Sequence, residues 1–435
     1  MGMSLAIPRS ADKARRPHVV IIGGGFAGIA AVKALRHCEA DVTVIDRRNH
    51  HIFQPLLYQV ATAVLAPADV AAPIRQLSAK QKNVSVLLAE VIGVDLGSRS
   101  VDVKYPGAAE KKIAFDYLVV AAGVQSSYFG HNEFAQYAPC LKTITDAQAI
   151  RSKILSAYEL AESTEDENGR RRLMTFVLVG AGPTGVELAA SIAQMAKTTL
   201  RANFRRIDPA ATSIILLDGA KRVLPTFAES SSLKAAQRLA KLGVKVITSA
   251  MVEHIDDRGV TVGGKTIESG TVLWTAGVSP SPIVKMLGTT TDRAGRACVG
   301  PFLNVVDSRG IFVVGDAATL TQDGRPLPGV AQVAIQQGRY VGEWIAKELG
   351  GGKPPRPFRY FDKGNMAVIG KNFAIMESGR FKLAGMFPWF IWAFIHVLFL
   401  PQLQNQRRVQ NQWFWSYFTG QRSSRLVDEA PRIGA

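Results

Sequence analysis

Residues 19–35 have the sequence VVIIGGGFAGIAAVKAL, in which an apolar run precedes glycines and a helix-forming segment. The run at 19–22 predicts a buried strand. Three glycines follow it at G-x-G-x-x-G spacing: Gly23, Gly25 and Gly28. In this pattern the first glycine allows a tight turn, the second lets a pyrophosphate approach the backbone, and the third lets helix and strand pack closely. Asp46 ends the next apolar run, where an acid binds a ribose hydroxyl. The order therefore predicts a dinucleotide-binding unit.

The same layout occurs again in residues 176–196, FVLVGAGPTGVELAASIAQMA. Its three glycines are Gly180, Gly182 and Gly185. Pro183 suits the first turn of a helix, where its missing N–H costs no hydrogen bond. A further apolar run at 213–217 is followed by Asp218. Two such units predict two bound dinucleotides, and therefore electron transfer between them.

Composition limits the chemistry. At 435 residues the chain is long enough for two or three domains. Its three cysteines are far apart in the sequence: Cys38, Cys140 and Cys298. Their number and spacing argue against a disulfide framework, a C-x-x-C redox pair and a zinc or other metal site, and favour inert thiols. The formal net charge of +17 predicts an anionic partner, either nucleic acid or a membrane surface.

Other segments predict further strands and helices. Residues 115–123 (FDYLVVAAG) predict a strand that ends in small residues, where a cofactor can approach the backbone, although an ordinary strand-to-loop connection is, taken alone, the better explanation. Residues 271–278 (TVLWTAGV) predict a second strand that ends in the same way. Residues 310–320 (GIFVVGDAATL) predict another strand, which is followed by Asp316. Asp316 is either a helix N-cap or a residue that contacts a cofactor. Helices are predicted at 69–80, 146–162 and 329–349, and a charged surface loop at 162–172.

Two glutamines stand out in the predicted helix 329–349. Gln332 and Gln336 are four residues apart, so they share one face of the helix. Exposed glutamines need no explanation, but the neighbours of these two are Val330, Val333 and other apolar residues. The pattern therefore indicates a polar contact in an apolar cleft.

The C-terminal part is apolar and rich in tryptophan. Residues 387–401, FPWFIWAFIHVLFLP, are too few to span a bilayer as a helix, which takes about 20 apolar residues. Residues 402–425 add aromatic side chains and arginines, and no Asp or Glu occurs from 378 to 427. This pattern indicates an interfacial membrane anchor, with a core helix and a dimer interface as competing uses. A membrane accounts for part of the charge, so no nucleic acid partner is expected. His396 is interpreted as packed or interfacial rather than catalytic.

Together these motifs resemble the type II NADH dehydrogenases, which are single-subunit NADH:quinone oxidoreductases. The resemblance covers roughly residues 17–420, and its most specific parts are HIFQPLLYQVAT, VLVGAGPTGVELA, VLWTAGV, VVGDAA, AQVAIQQG and the aromatic C-terminus. It implies an α/β fold with two Rossmann-like dinucleotide-binding domains. The NADH domain would be inserted in the FAD domain, and a C-terminal amphipathic helical membrane anchor would follow.

The resemblance also implies which residues bind the cofactors. FAD would bind non-covalently in the first unit, at Gly23, Gly25, Gly28, Asp46, Ala122, Gly123, Gly315 and Asp316, with Pro55, Leu56 and Leu57 beside the flavin ring. NADH would bind in the second, at Gly180, Gly182, Thr184, Gly185, Glu187, Asp218 and Gly277. The residues implied in the chemistry are Glu187, Gln332, Gln336 and Lys371. The two glutamines match the family's AQxAxQ quinone motif, and Lys371 matches a lysine near the flavin ring.

Two of these residues leave alternatives open. Glu187 is expected on the first turn of the second glycine-loop helix. There it would either interact favourably with the helix dipole or lie beside the nicotinamide, where it would bias cofactor orientation or handle a proton. Asp218 favours NADH, because a carboxylate accepts a hydrogen bond from the 2′-hydroxyl and repels a 2′-phosphate. Lys221 and Arg222 follow closely and leave some use of NADPH open.

The expected domain organisation has six parts: a disordered basic tail at 1–16, the first part of the FAD domain at 17–145, the NADH domain at 146–298, the second part of the FAD domain with the quinone-site helix at 299–380, membrane-anchoring helices at 381–425 and a tail at 426–435. The first tail has no apolar stretch of signal-peptide length, and Ala6 stands where a myristoylation signal has Ser or Thr.

The resemblance implies a respiratory enzyme that takes hydride from NADH to FAD and passes two electrons to a membrane quinone. No proton pumping is expected, because no segment is long enough to span the bilayer. The implied partners are NADH, a membrane quinone, an anionic lipid surface contacted by the C-terminal helices and a second copy in a homodimer. The implied location is peripheral, as a monotopic protein on the cytoplasmic face of a bacterial inner membrane. The alternatives are a related FAD/NAD(P)H-dependent reductase with another acceptor, and a redox-sensing protein that binds FAD and NADH without turnover.

Overall fold

The computed structural model describes residues 15–306, 308–353 and 355–427, so the expected tails at 1–16 and 426–435 lie almost entirely outside the described residues. The chain forms two compact units. Unit 1 comprises the described parts of Met1–Asn49, Ser78–Gly123 and Pro282–Tyr360. Unit 2 comprises those of His50–Leu77, Val124–Ser281 and Phe361–Ala435. The chain passes between the two units after residues 49, 77, 123, 281 and 360.

The α-helices of the described residues are α1 (Phe26–Ala34), α2 (Leu57–Ala61), α3 (Pro67–Val70), α4 (Ile74–Ser78), α5 (Ile144–Ser163), α6 (Glu167–Leu173), α7 (Pro183–Gln194), α8 (Glu229–Lys241), α9 (Ile283–Met286), α10 (Ala331–Leu349), α11 (Met386–Leu398) and α12 (Leu403–Thr419). Short 3₁₀ turns occur at Gln54–Leu56, Asn132–Gln136, Pro209–Ala211 and Gly315–Ala317, and a π-helical turn at Met195–Thr199.

The strands are β1 (His18–Ile22), β2 (Asp41–Asp46), β3 (His50–Ile52), β4 (Ala71–Pro73), β5 (Val84–Leu88), β6 (Glu90–Asp95), β7 (Ser100–Lys104), β8 (Glu110–Ala114), β9 (Tyr117–Val120), β10 (Val124–Ser126), β11 (Thr175–Val179), β12 (Ser213–Leu217), β13 (Val244–Ile247), β14 (Val252–Ile255), β15 (Gly259–Val262), β16 (Lys265–Glu268), β17 (Thr271–Trp274), β18 (Val278–Pro280), β19 (Ala297–Cys298), β20 (Ile311–Val313), β21 (Ala318–Thr319), β22 (Thr321–Gln322), β23 (Arg325–Pro326), β24 (Asn365–Val368), β25 (Ala374–Ser378) and β26 (Phe381–Gly385).

Unit 1 is built on a five-stranded parallel sheet in the order β20-β9-β1-β2-β5. Four of its strands, β20, β9, β1 and β2, are short apolar runs buried along most of their length, which is typical of a parallel sheet covered on both faces, whereas the edge strand β5 is mostly partly exposed or exposed. A three-stranded antiparallel sheet, β6-β7-β8, packs on the same core. Because parallel strands all point one way, the segments that follow β1, β9 and β20 meet at one edge of the sheet.

Unit 2 repeats the plan with a four-stranded parallel sheet in the order β13-β12-β11-β17. All five residues of β11 are buried, as are all four of β17. The second glycine turn follows β11, and Ala276 and Gly277 follow β17, so they too lie at one edge. The unit also holds two three-stranded antiparallel sheets, β14-β15-β16 and β24-β25-β26.

The local predictions are confirmed for both strand–glycine–helix units and for the helices at 146–162 and 329–349, which are α5 and α10. The charged loop predicted at 162–172 is wrong. α6 forms there because the Asp166 side chain accepts hydrogen bonds from the N–H groups of Asn168 and Gly169, which caps the helix. The single helix predicted at 69–80 is also wrong, since β4 separates α3 from α4 by pairing with β3.

The C-terminal residues form two helices, α11 and α12, whose outer faces are aromatic. On α11 four exposed apolar side chains follow a spacing of three and four residues, Phe387, Phe390, Phe394 and Leu398, and Met386 at the start of the helix is exposed as well. On α12 they are Leu403, Phe414, Trp415 and Phe418, and Arg407 and Arg408 are exposed beside them. Within the described ranges, no helix is both long enough and apolar enough to cross a bilayer.

The inner side of this helix pair is a packed aromatic layer. Trp392 stacks on Trp413 at 5.3 Å between ring centres, and His396 lies 4.4 Å from Trp392. His396 Nδ1 donates a 2.7 Å hydrogen bond to the Trp392 carbonyl, and burial lowers the pKa of the imidazole to about 4. His396 is therefore a neutral, packed side chain, as the sequence indicated.

Candidate functional site

The first glycine turn has an opening of the kind that a pyrophosphate needs. Gly23 has a φ of +105°, and its N–H donates a 2.8 Å hydrogen bond to the Ile45 carbonyl. A Cβ on Gly28 would collide with the Gly23 carbonyl, so helix and turn touch. A Cβ on Gly25, by contrast, would meet no atom within 4 Å. Gly25 is also the N-cap of α1 without a side-chain cap, which leaves its first N–H groups for an anion.

Asp46 lies beside this turn, at the end of β2. Its Oδ2 accepts a 2.7 Å hydrogen bond from the Gly24 N–H, and its Oδ1 accepts one of 2.8 Å from the Arg48 N–H. Each carboxylate oxygen has a second lone pair that a ribose hydroxyl could use. At the same edge of the sheet, Ala122 and Gly123 follow β9, and both are partly exposed.

Gly315 and Asp316 follow β20 in a 3₁₀ turn. Gly315 has a φ of +71° and lies against Ala27 of α1 and Ala334 of α10. Val314 occupies the N-cap of this turn, so Asp316 does not have the N-cap role that was one of its two alternatives in the sequence analysis. The Gly315 N–H donates a 2.7 Å hydrogen bond to Gln337 Oε1, and Gln337 is 1% exposed.

Gln337 was not singled out from the sequence, although it follows the predicted pair. Gln332 and Gln336 lie in the first two turns of α10, and both are partly exposed. The Gln332 Oε1 atom is buried and accepts no hydrogen bond within the described part of the chain. Unit 1 thus brings together the residues predicted for FAD in this unit, and it carries the two glutamines on the helix that supports Gly315.

The second glycine turn repeats the geometry of the first. Gly180 has a φ of +107°, and its N–H donates a 2.7 Å hydrogen bond to the Leu217 carbonyl. A Cβ on Gly185 would collide with the Gly180 carbonyl, while one on Gly182 would meet nothing within 4 Å. Gly182 is the N-cap of α7, and Pro183 begins the helix as predicted. Unit 2 therefore has its own opening for a pyrophosphate.

Asp218 corresponds in position to Asp46. Its Oδ2 accepts a hydrogen bond from the Ala181 N–H, and its Oδ1 accepts one of 2.6 Å from the Ala220 N–H. Arg222, which raised the question of NADPH, donates from Nη2 to the carbonyls of Pro225 and Phe227. Its guanidinium thus takes part in local backbone contacts, whereas Lys221 is exposed.

Two other predicted NADH residues lie at the same edge. Thr184 is exposed in the first turn of α7. Gly277 has a φ of +71°, and the Phe129 ring covers it so closely that a Cβ would collide with the ring. Phe129 is itself 67% exposed.

Glu187 does not lie in the first turn of the helix, where it was expected from the sequence. α7 starts at Pro183, so Glu187 lies in the second turn, and the first turn contains no acid. An interaction with the helix terminus is therefore not its role. Its Oε1 accepts a 3.3 Å hydrogen bond from the Val368 N–H. Burial raises the pKa of the carboxyl to about 8, so much of it is protonated at neutral pH.

Tyr58 is a buried neighbour of Glu187 that the sequence did not single out. Burial raises the pKa of Tyr58 well above its ordinary value, and the Glu187 carboxylate raises it further. The Tyr58 hydroxyl accepts a 2.9 Å hydrogen bond from Gln59 Nε2, and Gln59 Oε1 accepts one of 2.6 Å from Trp413 Nε1. Unit 2 therefore joins the neighbourhood of Glu187 to α12 through buried polar groups.

The remaining predicted residues also lie in unit 2. Leu56 and Leu57 are buried, while Pro55 is partly exposed. Lys371 Nζ donates a 2.6 Å hydrogen bond to the Tyr417 carbonyl and lies 3.9 Å from the centre of the Tyr417 ring. Lys371 thus contacts α12, and its predicted place near a flavin ring stays a prediction.

Comparison with known proteins decides the family. A model of the pyridine nucleotide-disulphide oxidoreductases matches residues 17–338. The chain is 43% identical over 415 residues to type II NADH:quinone oxidoreductase NdhA of Mycobacterium tuberculosis (strain ATCC 25618 / H37Rv), across 92% of this chain and 87% of that protein. The chain belongs to the type II NADH:quinone oxidoreductases. It is also 41% identical to type II NADH:quinone oxidoreductase Ndh of the same strain, across 97% of this chain and 92% of that protein.

A solved structure confirms the fold of this type II NADH:quinone oxidoreductase. NDH2 from Plasmodium falciparum in complex with NADH superposes with a TM-score of 0.85 over 94% of this chain and 99% of that chain, at 19% identity. The match confirms the α/β class with Rossmann-like domains. Type II NADH dehydrogenases are membrane-associated oxidoreductases, and their cofactor is FAD. The open glycine turns and their adjacent acids fit two dinucleotides, which is what FAD and NADH require.

Proposed function

We propose that this chain is a non-proton-pumping respiratory NADH:quinone oxidoreductase. The observation that carries the proposal is the repeated geometry of the two glycine turns. In each unit the second glycine is open, the third touches the first, and an aspartate at the end of the next strand holds the turn. Two dinucleotide sites in a member of this family suit a flavin and a nicotinamide.

The FAD residues would act by binding and orientation. The N–H groups at the start of α1 would hold the pyrophosphate beside Gly25, and Asp46 would hold a ribose hydroxyl. Gly315 and Asp316 would approach the phosphate and ribityl region, since Gln337 fixes their turn. When bound, FAD supplies the redox chemistry, accepting hydride from NADH and returning two electrons to a quinone.

The NADH residues would select the cofactor and place its nicotinamide. Gly182 leaves room for the pyrophosphate, and Asp218 would accept the 2′-hydroxyl and repel a 2′-phosphate. Glu187 would lie beside the nicotinamide. Because burial keeps its pKa near 8, it could hold or release a proton at working pH.

Gln332 and Gln336 would orient the quinone. Their side chains are partly exposed at the start of α10, and the unsatisfied Gln332 Oε1 is an acceptor that a ligand could use. Lys371 would act near the flavin ring. The domain boundaries expected from the sequence stay part of this proposal.

The enzyme would attach to a membrane through the aromatic outer faces of α11 and α12. Aromatic side chains and arginines suit the boundary between lipid and water, and each basic residue near an anionic surface adds about 1 kcal/mol. The absence of acids from 378 to 427 favours such a surface. We place the protein on the cytoplasmic face of a bacterial inner membrane, as a homodimer, with dimerisation to be measured by analytical ultracentrifugation.

Flavin absorbance tests the reaction directly. Purified protein is kept anaerobic in detergent, and NADH is added, followed by a short-chain quinone. Bleaching by NADH and recovery with quinone are expected. Bleaching without recovery would point to another acceptor, and no bleaching would leave a protein that binds FAD and NADH without turnover.

The quinone assignment has a sharper test. Replacing both Gln332 and Gln336 with Leu should impair flavin reoxidation by quinone and leave flavin reduction by NADH intact. Lys347→Leu is the control, since Lys347 is exposed in the last turns of the same helix. Equal losses in both half-reactions would remove the assignment.

Membrane attachment can be measured by sedimentation with vesicles that contain phosphatidylglycerol. Phe390→Ser combined with Phe394→Ser should reduce binding, because both side chains are exposed on α11. Met251→Ser is the control, since Met251 is an exposed apolar side chain of unit 2 that lies outside α11 and α12, just before β14. Undiminished binding by the double variant would contradict the assignment of this face.

A further inference from the structure

Arg422 is a buried arginine just beyond α12. Its side chain belongs to a residue that is 7% exposed, and its described hydrogen-bond partners include no carboxylate. Nη1 donates a 2.7 Å hydrogen bond to the Thr62 carbonyl, and Nη2 donates one of 3.0 Å to the Ser191 carbonyl. Burial lowers the pKa of the guanidinium to about 10, so it stays charged at neutral pH. Burying a charge without a counter-ion costs free energy, so stabilisation of the fold does not by itself explain why an arginine is buried here.

The two partners of Arg422 belong to two different helices. Thr62 is the C-cap of α2, and Ser191 lies in α7. The Thr62 hydroxyl donates a 2.9 Å hydrogen bond to the Tyr58 carbonyl. Its single proton is used there, so at the 2.8 Å contact between the two hydroxyls Ser191 is the donor. The guanidinium thus completes a hydrogen-bonded bridge from α2 to α7.

This bridge lies one helical turn beyond a pair of residues in the candidate site. Thr62 is four residues after Tyr58, and Ser191 is four residues after Glu187. Residues four apart lie one above the other on a helix face. A bridge between Thr62 and Ser191 therefore sets how the faces that carry Tyr58 and Glu187 meet.

The chain after α12 is fastened on both sides of Arg422. The Gly420 carbonyl accepts a 2.9 Å hydrogen bond from the Thr199 hydroxyl, in the π-helical turn that continues α7. The Ser424 N–H donates to the Ala63 carbonyl at 3.3 Å. The segment 420–424 therefore crosses the ends of both helices, and Arg422 is its buried point of attachment.

We propose that Arg422 is a positioning residue, which holds α2 against α7 so that Glu187 and Tyr58 keep the arrangement that hydride transfer from NADH requires. The inference rests on the proposed function, because it uses the place of Glu187 beside the nicotinamide. It assigns a task to the segment after α12 that membrane attachment does not require.

The test compares variants of the whole 435-residue chain. Arg422→Met removes the charge and keeps much of the volume. The rate constant of flavin reduction at saturating NADH is expected to fall about 10- to 100-fold, because a displacement of reacting groups by about 1 Å slows a reaction by this amount. The Kd for NADH should change less than about twofold, because the pyrophosphate opening lies at the other end of α7. Arg422→Lys should recover part of the rate, since it keeps a donor and the charge.

Arg425→Met is the matched control. Arg425 lies in the same segment, and its guanidinium donates to the Arg422 carbonyl and to the side chains of Asn203 and Gln421, but not to α2 or α7. Its flavin reduction should equal that of the wild type. A normal rate in Arg422→Met would overturn the proposal, and so would an equal loss in Arg425→Met.

A structural loss is separated from mispositioning by thermal unfolding and by a milder variant. Arg422→Met removes a costly buried charge but also takes a donor from the Thr62 carbonyl, so the rate is measured well below the Tm of the variant, where a loss in folded protein reports mispositioning. If Arg422→Met unfolds, Ser191→Ala removes only the hydroxyl contact, and it should lower the rate at an unchanged Tm. An unchanged rate in Ser191→Ala would then overturn the proposal. Wild-type protein that NADH does not reduce would overturn the proposed function itself.

Discussion

The Gln337 side chain accepts a 2.7 Å hydrogen bond from the backbone N–H of Gly315 in the interior of unit 1. Gln337→Leu would leave this N–H without a partner, which costs about 1–3 kcal/mol. We expect a lower Tm and, because the Gly315 turn would lose its support, less FAD retained per chain. Thermal unfolding and the ratio of flavin to protein absorbance measure both effects.

The neighbouring residue provides the control for this change. Gln336→Leu introduces the same side chain one position earlier on α10, where the glutamine is only partly exposed. Its flavin content should equal that of the wild type. Equal flavin losses in the two variants would show that Gln337 has no specific part in holding the turn.

The two glycines at the start of α7 predict opposite defects. Gly182→Ala adds a methyl group to open space, so the fold should persist with an unchanged Tm, while the KM for NADH rises because the methyl group occupies the pyrophosphate opening. Gly185→Ala drives its methyl group into the Gly180 carbonyl and should lower the Tm. Steady-state kinetics and thermal unfolding of both variants check the contrast, and an unchanged KM in Gly182→Ala would remove the phosphate assignment.

The buried carboxyl of Glu187 predicts a stability that falls as pH rises. Its pKa is raised to about 8 in the folded protein, so between the ordinary value and 8 the folded state binds a proton that the unfolded state has released. The free energy of unfolding should therefore decrease through this window. Glu187→Gln removes the ionisation and should be more stable than the wild type above pH 8, by at most about 5 kcal/mol. Tm measured from pH 5 to 9 gives the comparison.

Glu162 should behave with the opposite sign. Although its surroundings oppose ionisation, hydrogen bonds from the N–H groups of Arg205, Arg206 and Ile207 lower the pKa of Glu162 overall. Its contribution to stability is present above its unfolded pKa and is lost as pH falls through the folded value. Glu162→Gln should therefore lower the Tm at neutral pH and have little effect in acid. A Glu187→Gln profile parallel to the wild type would contradict the raised pKa.

Asp218 should determine the choice of nicotinamide cofactor. Asp218→Asn removes the charge that repels a 2′-phosphate and weakens a charge-assisted hydrogen bond to the 2′-hydroxyl, which is worth about 1.5–3 kcal/mol. The ratio of kcat/KM for NADH to that for NADPH should fall by roughly tenfold or more. Asp256→Asn is the control, because that aspartate also accepts backbone N–H groups in a turn of unit 2. A ratio unchanged from wild type would show that Asp218 only holds the turn.

The sequence predicted what depends on local spacing. The order of strand, glycines, helix and acid fixed the two parallel sheets and the places of Gly25, Gly182, Asp46 and Asp218, because each glycine acts on its immediate neighbours. The loop predicted at 162–172 was wrong even though a signal was present, since Asp166 before Glu167 is a usual helix start.

The residues that the sequence missed have partners far along the chain. Gln337 binds a turn 22 residues away, and Arg422 binds Thr62 and Ser191 at separations of 360 and 231 residues. The raised pKa of Glu187 depends on burial, which no local pattern records. Such contacts follow from tertiary packing, so a single sequence cannot identify them.

The close packing of α10 on α1 has a consequence for how unit 1 fails. A Cβ on Gly338 would collide with the Ala27 carbonyl, and one on Gly342 would come within 2.6 Å of the Ala34 Cβ. Sliding α10 by one residue would put Arg339 where only glycine fits, so the helix cannot shift register along α1. We therefore expect the helix that follows the first glycine turn and the helix that carries Gln332 and Gln336 to separate together, in a single cooperative melting step.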